Sequence, residues 1–153
     1  MASTTIPATS SELLARVDVG WRPLREAVRG LGRARLDERA PTGWSYHDLL
    51  AHIAAWEDLT ARRLRTLRET GQRTQPAEAL DIDGFNARIV ETHRLVGAEA
   101  LVDELDTSHR ALRRELEQLT DVQIQGGLGW AVVIVAGSSY GHYAEHAAEL
   151  DIG

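Results

Sequence analysis

Apolar residues recur every three to four positions along most of this chain of 153 residues, which is the spacing of amphipathic helices. The clearest run follows Ser45, a favourable helix N-cap with Asp48 three residues later. One face of that predicted helix carries Leu49, His52, Ile53, Trp56, Leu59, Arg63 and Leu67. This pattern restricts the chain to architectures in which helices bury one face against each other.

Four further segments show the helical spacing, at about residues 9–30, 83–95, 98–119 and 130–152. The last contains a β-branched run, 132–135, which has strand propensity. No other region supplies a strand partner, and an isolated strand would leave its backbone groups unpaired. The sequence therefore predicts an all-α protein in which residues 71–82 and 120–129 are loops.

The length of the chain is typical of one domain. We expect residues 1–8 to be a flexible tail and residues 9–153 to form a single helical bundle domain. The first ten residues are polar and lack the basic and apolar regions of a signal peptide. No stretch of about 20 apolar residues stands out as a membrane span. We therefore expect a cytoplasmic protein that does not use the membrane as a partner.

The composition excludes several kinds of chemistry. The chain has no cysteine, which rules out disulfides, thiolate metal ligands and a cysteine nucleophile. All 17 basic residues are arginine, so a lysine Schiff base is also excluded. The formal net charge of −6 predicts that nucleic acid is not a partner, because binding to phosphates needs clustered positive charge. Four neighbouring arginines are interpreted as the solvated face of one helix: Arg62, Arg63, Arg65 and Arg68.

Three histidines form the main candidate site. His142 and His146 are four residues apart, which places both rings on one face of a helix, one turn apart. His52 lies on the apolar face of the Ser45 helix and would point inward. Three imidazoles can hold one divalent metal ion and leave a coordination position open. The alternative is that His52 is a hydrogen-bonded core histidine and that the pair arises by chance.

Other residues could contact these rings or a substrate. Asp48 and Glu149 lie four and three residues from a candidate ligand, so each could orient a ring or be a surface carboxylate. Trp56 and Tyr140 are candidates for packing or for contact with a substrate. The remaining histidines lie on polar stretches and are interpreted as surface residues: His47, His93 and His109.

Two segments resemble signatures of the DinB/YfiT-like superfamily of metalloenzymes. Residues 43–57, Gly-Trp-Ser-Tyr-His-Asp-Leu-Leu-Ala-His-Ile-Ala-Ala-Trp-Glu, resemble its second-helix signature. Residues 140–146, Tyr-Gly-His-Tyr-Ala-Glu-His, resemble its last-helix signature. Residues 83–88, Asp-Gly-Phe-Asn-Ala-Arg, are similar to the start of the third helix in the branch related to the colibactin self-protection protein. A second related branch is that of the mycothiol-dependent isomerases.

The resemblance implies a four-helix bundle with up-down-down-up connectivity, including an extra short helix or a broken third helix, and a homodimer. It also implies zinc or nickel on one histidine of the second helix and two of the last. His52, His142 and His146 match those three positions.

The activity that the resemblance implies is transfer of a low-molecular-weight thiol such as mycothiol, or of water, to a small electrophilic substrate. The protein would then be a thiol S-transferase, an isomerase or a hydrolase, and no catalytic residue is assigned. An alternative, drawn from the self-protection branch, is a metal-independent protein that sequesters or hydrolyses a toxic electrophile. A third is a structural dimer that a metal stabilises without turnover.

Overall fold

The computed structural model describes residues 5–40 and 43–150, and these are almost entirely helical with no strand among them. The helices are α1 (Ser10–Leu31), α2 (Tyr46–Thr70), α3 (Ala77–Leu80), α4 (Ile82–His93), α5 (Ala98–Gln118), α6 (Asp121–Ser138) and α7 (Tyr140–Leu150). The all-α prediction is confirmed, and the β-branched run of 132–135 is helical.

Local capping explains where the main helices begin and end. The side chain of Thr9 accepts a hydrogen bond from the Glu12 amide at the start of α1. Ser45 and Asp48 form a complete capping box at the start of α2. Gly71 ends α2 in the left-handed conformation, at φ 76°, which glycine adopts without steric cost.

The connectivity follows from contacts between helices. Three contacts of α2 with α5 and the residues just before it follow each other in the same order along both helices, so the two helices run parallel. They are the contact of His47 with the Val96 carbonyl, that of Glu57 with Ser108, and the ion pair of Arg68 with Glu115. Arg25 pairs with Asp106 and Arg113 with Asp18, so α1 runs antiparallel to α5.

Helix α7 lies beside α1 and runs in the same direction. Gly20 approaches Tyr140, and further along both helices Ala27 and Ala147 line one cavity. A Cβ at position 20 would lie 2.9 Å from the Cβ of Tyr140, so this close approach needs glycine. The up-down-down-up bundle is therefore confirmed, with α3 and α4 as the short extra helices between the second and third bundle helices.

The predicted loop 120–129 is only partly correct. Thr120 and Gln123 form a capping box, and α6 begins at Asp121. The backbone leaves the helical conformation only at residues 126–129, where Gly127, Leu128 and Gly129 have positive φ.

The last predicted helix, 130–152, is broken rather than continuous, and its residues 151–152 lie outside the described ranges. Ser139 has φ −125° and ψ −108°, and its side chain donates a hydrogen bond to the Val135 carbonyl. A Cβ at position 141 would lie 2.8 Å from the Ala136 carbonyl oxygen, so the break favours glycine there. The break separates α6 from α7 and changes the direction in which the second half presents its side chains.

The segment Asp121–Leu150 is long and apolar enough to cross a membrane, because one window of 18 residues within it has a mean hydropathy of 1.2. Length and composition alone are weak support for a span, because core helices have the same character. Here Ile124, Ala131, Val135 and Tyr143 are buried in the bundle. One third of that window is buried inside the protein.

Part of the predicted N-terminal tail is described. The carbonyl of Ala8 accepts a hydrogen bond from Gln125 at 2.8 Å, and the carbonyl of Thr5 accepts one from Arg16. Residues 1–4 of that predicted tail lie outside the described ranges.

Candidate metal centre

Two bundle helices bring the three candidate ligands together. His52 lies on the buried face of α2, between the fully buried Leu49 and Ile53. His142 and His146 lie one turn apart on α7. Only 7% of His52 and 6% of His146 is exposed, so these rings lie inside the protein. We call these three residues the histidine cluster.

The geometry of the histidine cluster is compatible with one metal ion. One ring nitrogen from each of His52, His142 and His146 lies within 4.8 Å of the other two. Nε2 of His52 and Nε2 of His142 are 2.8 Å apart. Two Zn–N bonds of about 2.1 Å at a tetrahedral angle separate their nitrogens by about 3.4 Å. The separations in the histidine cluster, 2.8 Å for one pair and at most 4.8 Å for the others, lie on either side of this value.

The protein environment keeps the rings of His52 and His142 neutral. Burial, followed by repulsion from His146, lowers the pKa of His52 from 6.5 to about 4, although a hydrogen bond with Asn86 opposes the change. Burial, followed by repulsion from the two other rings, lowers the pKa of His142 to about 3. Neutral imidazole is the form that binds metal, so protons compete weakly for these two side chains near neutral pH.

The four residues predicted to surround the site have different positions. Glu149 accepts a hydrogen bond from Nδ1 of His146 at 3.1 Å, and the ring of Trp56 lies at 6.4 Å from that of His52, centroid to centroid. Asp48 instead completes the capping box of α2. Tyr140 packs against α1 at Gly20 and lies about 200° around the helix from His142. The structure brings Glu149 and Trp56 to the cluster, whereas Asp48 and Tyr140 have other roles.

The sequence analysis did not identify Asn86 as a residue of the site. Asn86, on α4, lies 3.1 Å from Nδ1 of His52 and accepts a hydrogen bond from Nε1 of Trp56 at 2.8 Å. A signal was present, because Asn86 lies within the 83–88 segment that resembles a family signature. That segment carried no information on which side chain would face the bundle. Trp44, whose ring lies 5.0 Å from that of His52, is a further neighbour that the sequence analysis did not single out.

A second buried polar group lies elsewhere in the core, and we call it the Glu57 cluster: Glu57, Ser108, His109 and Tyr143. Tyr143 donates a hydrogen bond to Oε1 of Glu57, and Ser108 lies 3.1 Å from Oε2. Nδ1 of His109 lies 3.1 Å from the Tyr143 hydroxyl. Burial raises the pKa of the Glu57 carboxyl, and burial together with Glu57 raises the pKa of Tyr143 well above 10.

Several surface interpretations are wrong. His109 is buried and stacks on Trp21 with ring centroids 3.7 Å apart. His47 and His93 are half-buried and bond the Val96 carbonyl and Glu104, respectively. Arg63 is also buried, donates to the Thr74 carbonyl and lies over the ring of Trp130. Each side chain has a polar or aromatic partner distant in sequence, which local polarity cannot reveal.

Comparisons with known proteins agree with this architecture. The sequence matches the DinB superfamily over residues 16–149. No curated protein matches it. An uncharacterised protein from Escherichia coli UTI89 has a similar structure, with a TM-score of 0.82, 18% identity, and coverage of 97% of this chain and 94% of the other.

Two further solved structures share the fold. The colibactin self-resistance protein ClbS, in complex with double-stranded DNA, gives a TM-score of 0.81 at 13% identity and 96% coverage of both chains. DfsB, described as a sibling lethal factor precursor, gives 0.79 at 13% identity, with coverage of 93% of this chain and 92% of DfsB.

The prediction that excluded nucleic acid as a partner is wrong, because a protein of this fold has been solved with DNA bound. The net charge of −6 averages over the whole chain, whereas DNA responds to the local potential of one face. Helices α2 and α5 place Arg62, Arg65, Arg68 and Arg114 around one cleft, although Asp58 and Glu115 also line it. Net charge therefore cannot decide this question.

Proposed function

This chain belongs to the DinB superfamily, and on that premise we propose that it is an enzyme whose histidine cluster binds a divalent metal ion, zinc or nickel. The observation that carries the proposal is the convergence of one nitrogen each from His52, His142 and His146 within 4.8 Å. Three neutral imidazoles suit both metals and leave a coordination position open for a substrate.

The chemistry follows from that open position. A metal ion held there supplies Lewis acidity, which lowers the pKa of a thiol or a water molecule. The chain has no cysteine, so a thiol would enter as a small molecule such as mycothiol. Trp44 and Trp56 place aromatic rings next to His52 and would limit the access of water. Glu149 holds the His146 ring in orientation.

We therefore propose an S-transferase, isomerase or hydrolase that adds a low-molecular-weight thiol or water to a small electrophile. We further propose that it acts in the cytoplasm as a homodimer, which light scattering of the purified protein tests. The three histidines are proposed only as metal ligands, and we assign no side chain to acid or base catalysis. Consumption of mycothiol, bacillithiol or glutathione in the presence of a model electrophile identifies the thiol.

Elemental analysis of protein purified without an affinity tag tests the metal site. We expect about one equivalent of metal per chain in the natural protein and none in His142→Ala. His93→Ala is the matched control, because His93 pairs with Glu104 outside the cluster. Unchanged helicity in circular dichroism establishes that each variant is folded. A full equivalent of metal in His142→Ala would refute the assignment.

A second candidate is a metal-independent resistance protein that binds or hydrolyses a toxic electrophile. Two observations favour it: the likeness to ClbS, and the direct contact of His52 with His142 at 2.8 Å, which needs no metal. Cells that express His142→Ala would then remain as protected against an electrophilic toxin as cells with the natural protein. Loss of protection together with loss of metal would support the enzyme instead.

Two measurements complete the comparison of candidates. Because ClbS was solved with double-stranded DNA, fluorescence anisotropy with a labelled duplex at several salt concentrations measures whether this chain also binds DNA. A metal ion with a purely structural role predicts a different result when it is removed. Chelation would then lower the melting temperature and leave every activity unchanged.

A further inference from the structure

We propose that Asn86 is a positioning residue that fixes the proton of His52 on Nδ1 and so leaves Nε2 bare, facing the other two histidines. The link to metal binding rests on the proposed function, whereas the position of the proton does not. The argument needs only the hydrogen-bonding capacity of each group and three contacts in the structure.

Trp56 determines the orientation of the Asn86 amide. The indole Nε1–H is a donor and cannot accept a hydrogen bond. It lies 2.8 Å from Oδ1 of Asn86, so the amide must present its oxygen on this side. A reversed amide would place an NH₂ donor against the indole donor.

The same oxygen then determines the tautomer of His52. Oδ1 of Asn86 lies 3.1 Å from Nδ1 of His52 and can only accept. The proton of the neutral imidazole is therefore on Nδ1. Because a neutral ring carries one N–H, Nε2 is a bare lone pair, and this atom is the one that faces His142.

His146 and His142 complete the proton count. The Glu149 carboxylate accepts from Nδ1 of His146, so the neutral form of this ring has a bare Nε2. Nε2 of His142 lies 2.8 Å from the bare Nε2 of His52, so it must carry a proton and donate. Nδ1 of His142 is then bare, and it is buried without a hydrogen-bond partner.

The three rings therefore differ in whether their tautomer already suits metal binding through Nε2. His52 and His146 already hold the tautomer that ligation through Nε2 requires, because Asn86 and Glu149 impose it. His142 would have to move its proton from Nε2 to Nδ1, which has no hydrogen-bond partner among the described residues. Asn86 belongs to α4 in the crossover between α2 and α5, so this short helix contributes to the candidate centre rather than only connecting bundle helices.

Nuclear magnetic resonance of metal-free protein labelled with ¹⁵N-histidine tests the inference, because two-bond couplings report which ring nitrogen is protonated. We expect the Nδ1–H tautomer for His52 in the natural protein and in Asn86→Asp, which keeps an acceptor oxygen. We expect Asn86→Leu to shift His52 toward Nε2–H. A proton on Nε2 of His52 in the natural protein would overturn the proposal, as would an unchanged tautomer in Asn86→Leu.

Substitution of Trp56 provides a second test, in which Asn86 is first left unchanged. Trp56→Phe removes the donor that orients the amide, so the His52 tautomer should become mixed. In the double variant Trp56→Phe/Asn86→Asp the Nδ1–H tautomer should return, because a carboxylate has no donor side to present. If Trp56→Phe leaves the tautomer unchanged, the orientation argument is wrong.

Zinc affinity, measured by competition with a chelating dye, separates this inference from the proposed function. We expect Asn86→Leu to bind zinc about 10- to 100-fold more weakly and Asn86→Asp to stay within a few-fold of the natural protein. Equal zinc affinity in Asn86→Leu would overturn the positioning role. If the natural protein binds no zinc while the tautomers behave as expected, the proposed function fails and the role of Asn86 in setting the tautomer stands.

Discussion

The two buried polar clusters of this bundle use similar residue types in opposite ways. In the Glu57 cluster, donors meet acceptors: His109 can donate to Tyr143, Tyr143 donates to Glu57, and the Ser108 hydroxyl can donate either to Glu57 or to the Leu105 carbonyl. In the histidine cluster, three rings direct nitrogens at one another at distances of 2.8 to 4.8 Å. The Glu57 cluster leaves one buried ring nitrogen, Nε2 of His109, without a hydrogen-bond partner among the described residues. The histidine cluster instead brings nitrogens of three rings close to one point, where an ion could bind them.

The difference between the two clusters shows that burial by itself does not indicate a functional site. Both clusters are buried, and in both burial shifts pKa values, so neither property distinguishes a site from a structural network. The distinguishing property is whether nitrogens from several side chains converge on one point, as they do only in the histidine cluster of these two. Three predictions follow from this contrast, beginning with the largest expected effect.

Zinc should stabilise the protein through the histidine cluster alone. At a free zinc concentration 1,000-fold above the dissociation constant, the free energy of unfolding should rise by about 4 kcal/mol. Chemical denaturation with and without zinc measures the change. His142→Ala should lose the whole increase, and Glu57→Gln should keep it. A zinc effect of the same size in His142→Ala would mean that the two clusters do not differ in the way described.

Removing the carboxyl of the Glu57 cluster should cost stability without affecting metal content. Glu57→Ala removes the acceptor of the buried Tyr143 hydroxyl and opens a cavity, so we expect a loss of about 3 kcal/mol. Glu57→Gln keeps the shape and an acceptor oxygen, and it should cost about 1 kcal/mol. Urea denaturation with elemental analysis measures both quantities. A stable Glu57→Ala variant that has lost its metal would reverse the assignment of roles.

Acid should destabilise the metal-free protein through His52. The pKa of His52 is about 4 in the fold and 6.5 when unfolded, so between these values the unfolded chain binds more protons. Stability therefore falls as the pH falls through this window. From pH 7 to pH 5 the natural protein should lose about 2 kcal/mol more than His52→Asn does.

The Glu57 carboxyl has the opposite dependence, because its raised pKa favours the fold at low pH and costs stability as the pH rises above 4.5. Both proteins in this comparison keep Glu57, so its contribution cancels from the difference. Equal losses for the natural protein and His52→Asn would show that His52 titrates in the fold as it does in the unfolded chain.

The sequence alone predicted the main bundle helices, because periodic apolar residues and caps such as Ser45–Asp48 act locally. It missed the short helix α3, which lies within the predicted loop 71–82, and the start of α6, which lies within the predicted loop 120–129. It also identified His52, His142 and His146, since the inward position of one histidine and the four-residue spacing of the other two can be read from local pattern. The break at Ser139 was missed, because neither propensity nor spacing distinguishes a bent apolar helix from a straight one.

Only the tertiary structure decided which polar side chains meet. Asn86 contacts His52, which lies 34 residues away, and Glu57 bonds Tyr143, which lies 86 residues away. The sequence treats Glu57 as one charged residue among many and His109 as a polar surface residue. Their burial is tolerable only because distant partners supply the hydrogen bonds that water would otherwise provide, and those partners are brought close by packing. Periodicity determines which face of a helix turns inward, but the identity of the helix opposite that face is a property of the fold as a whole.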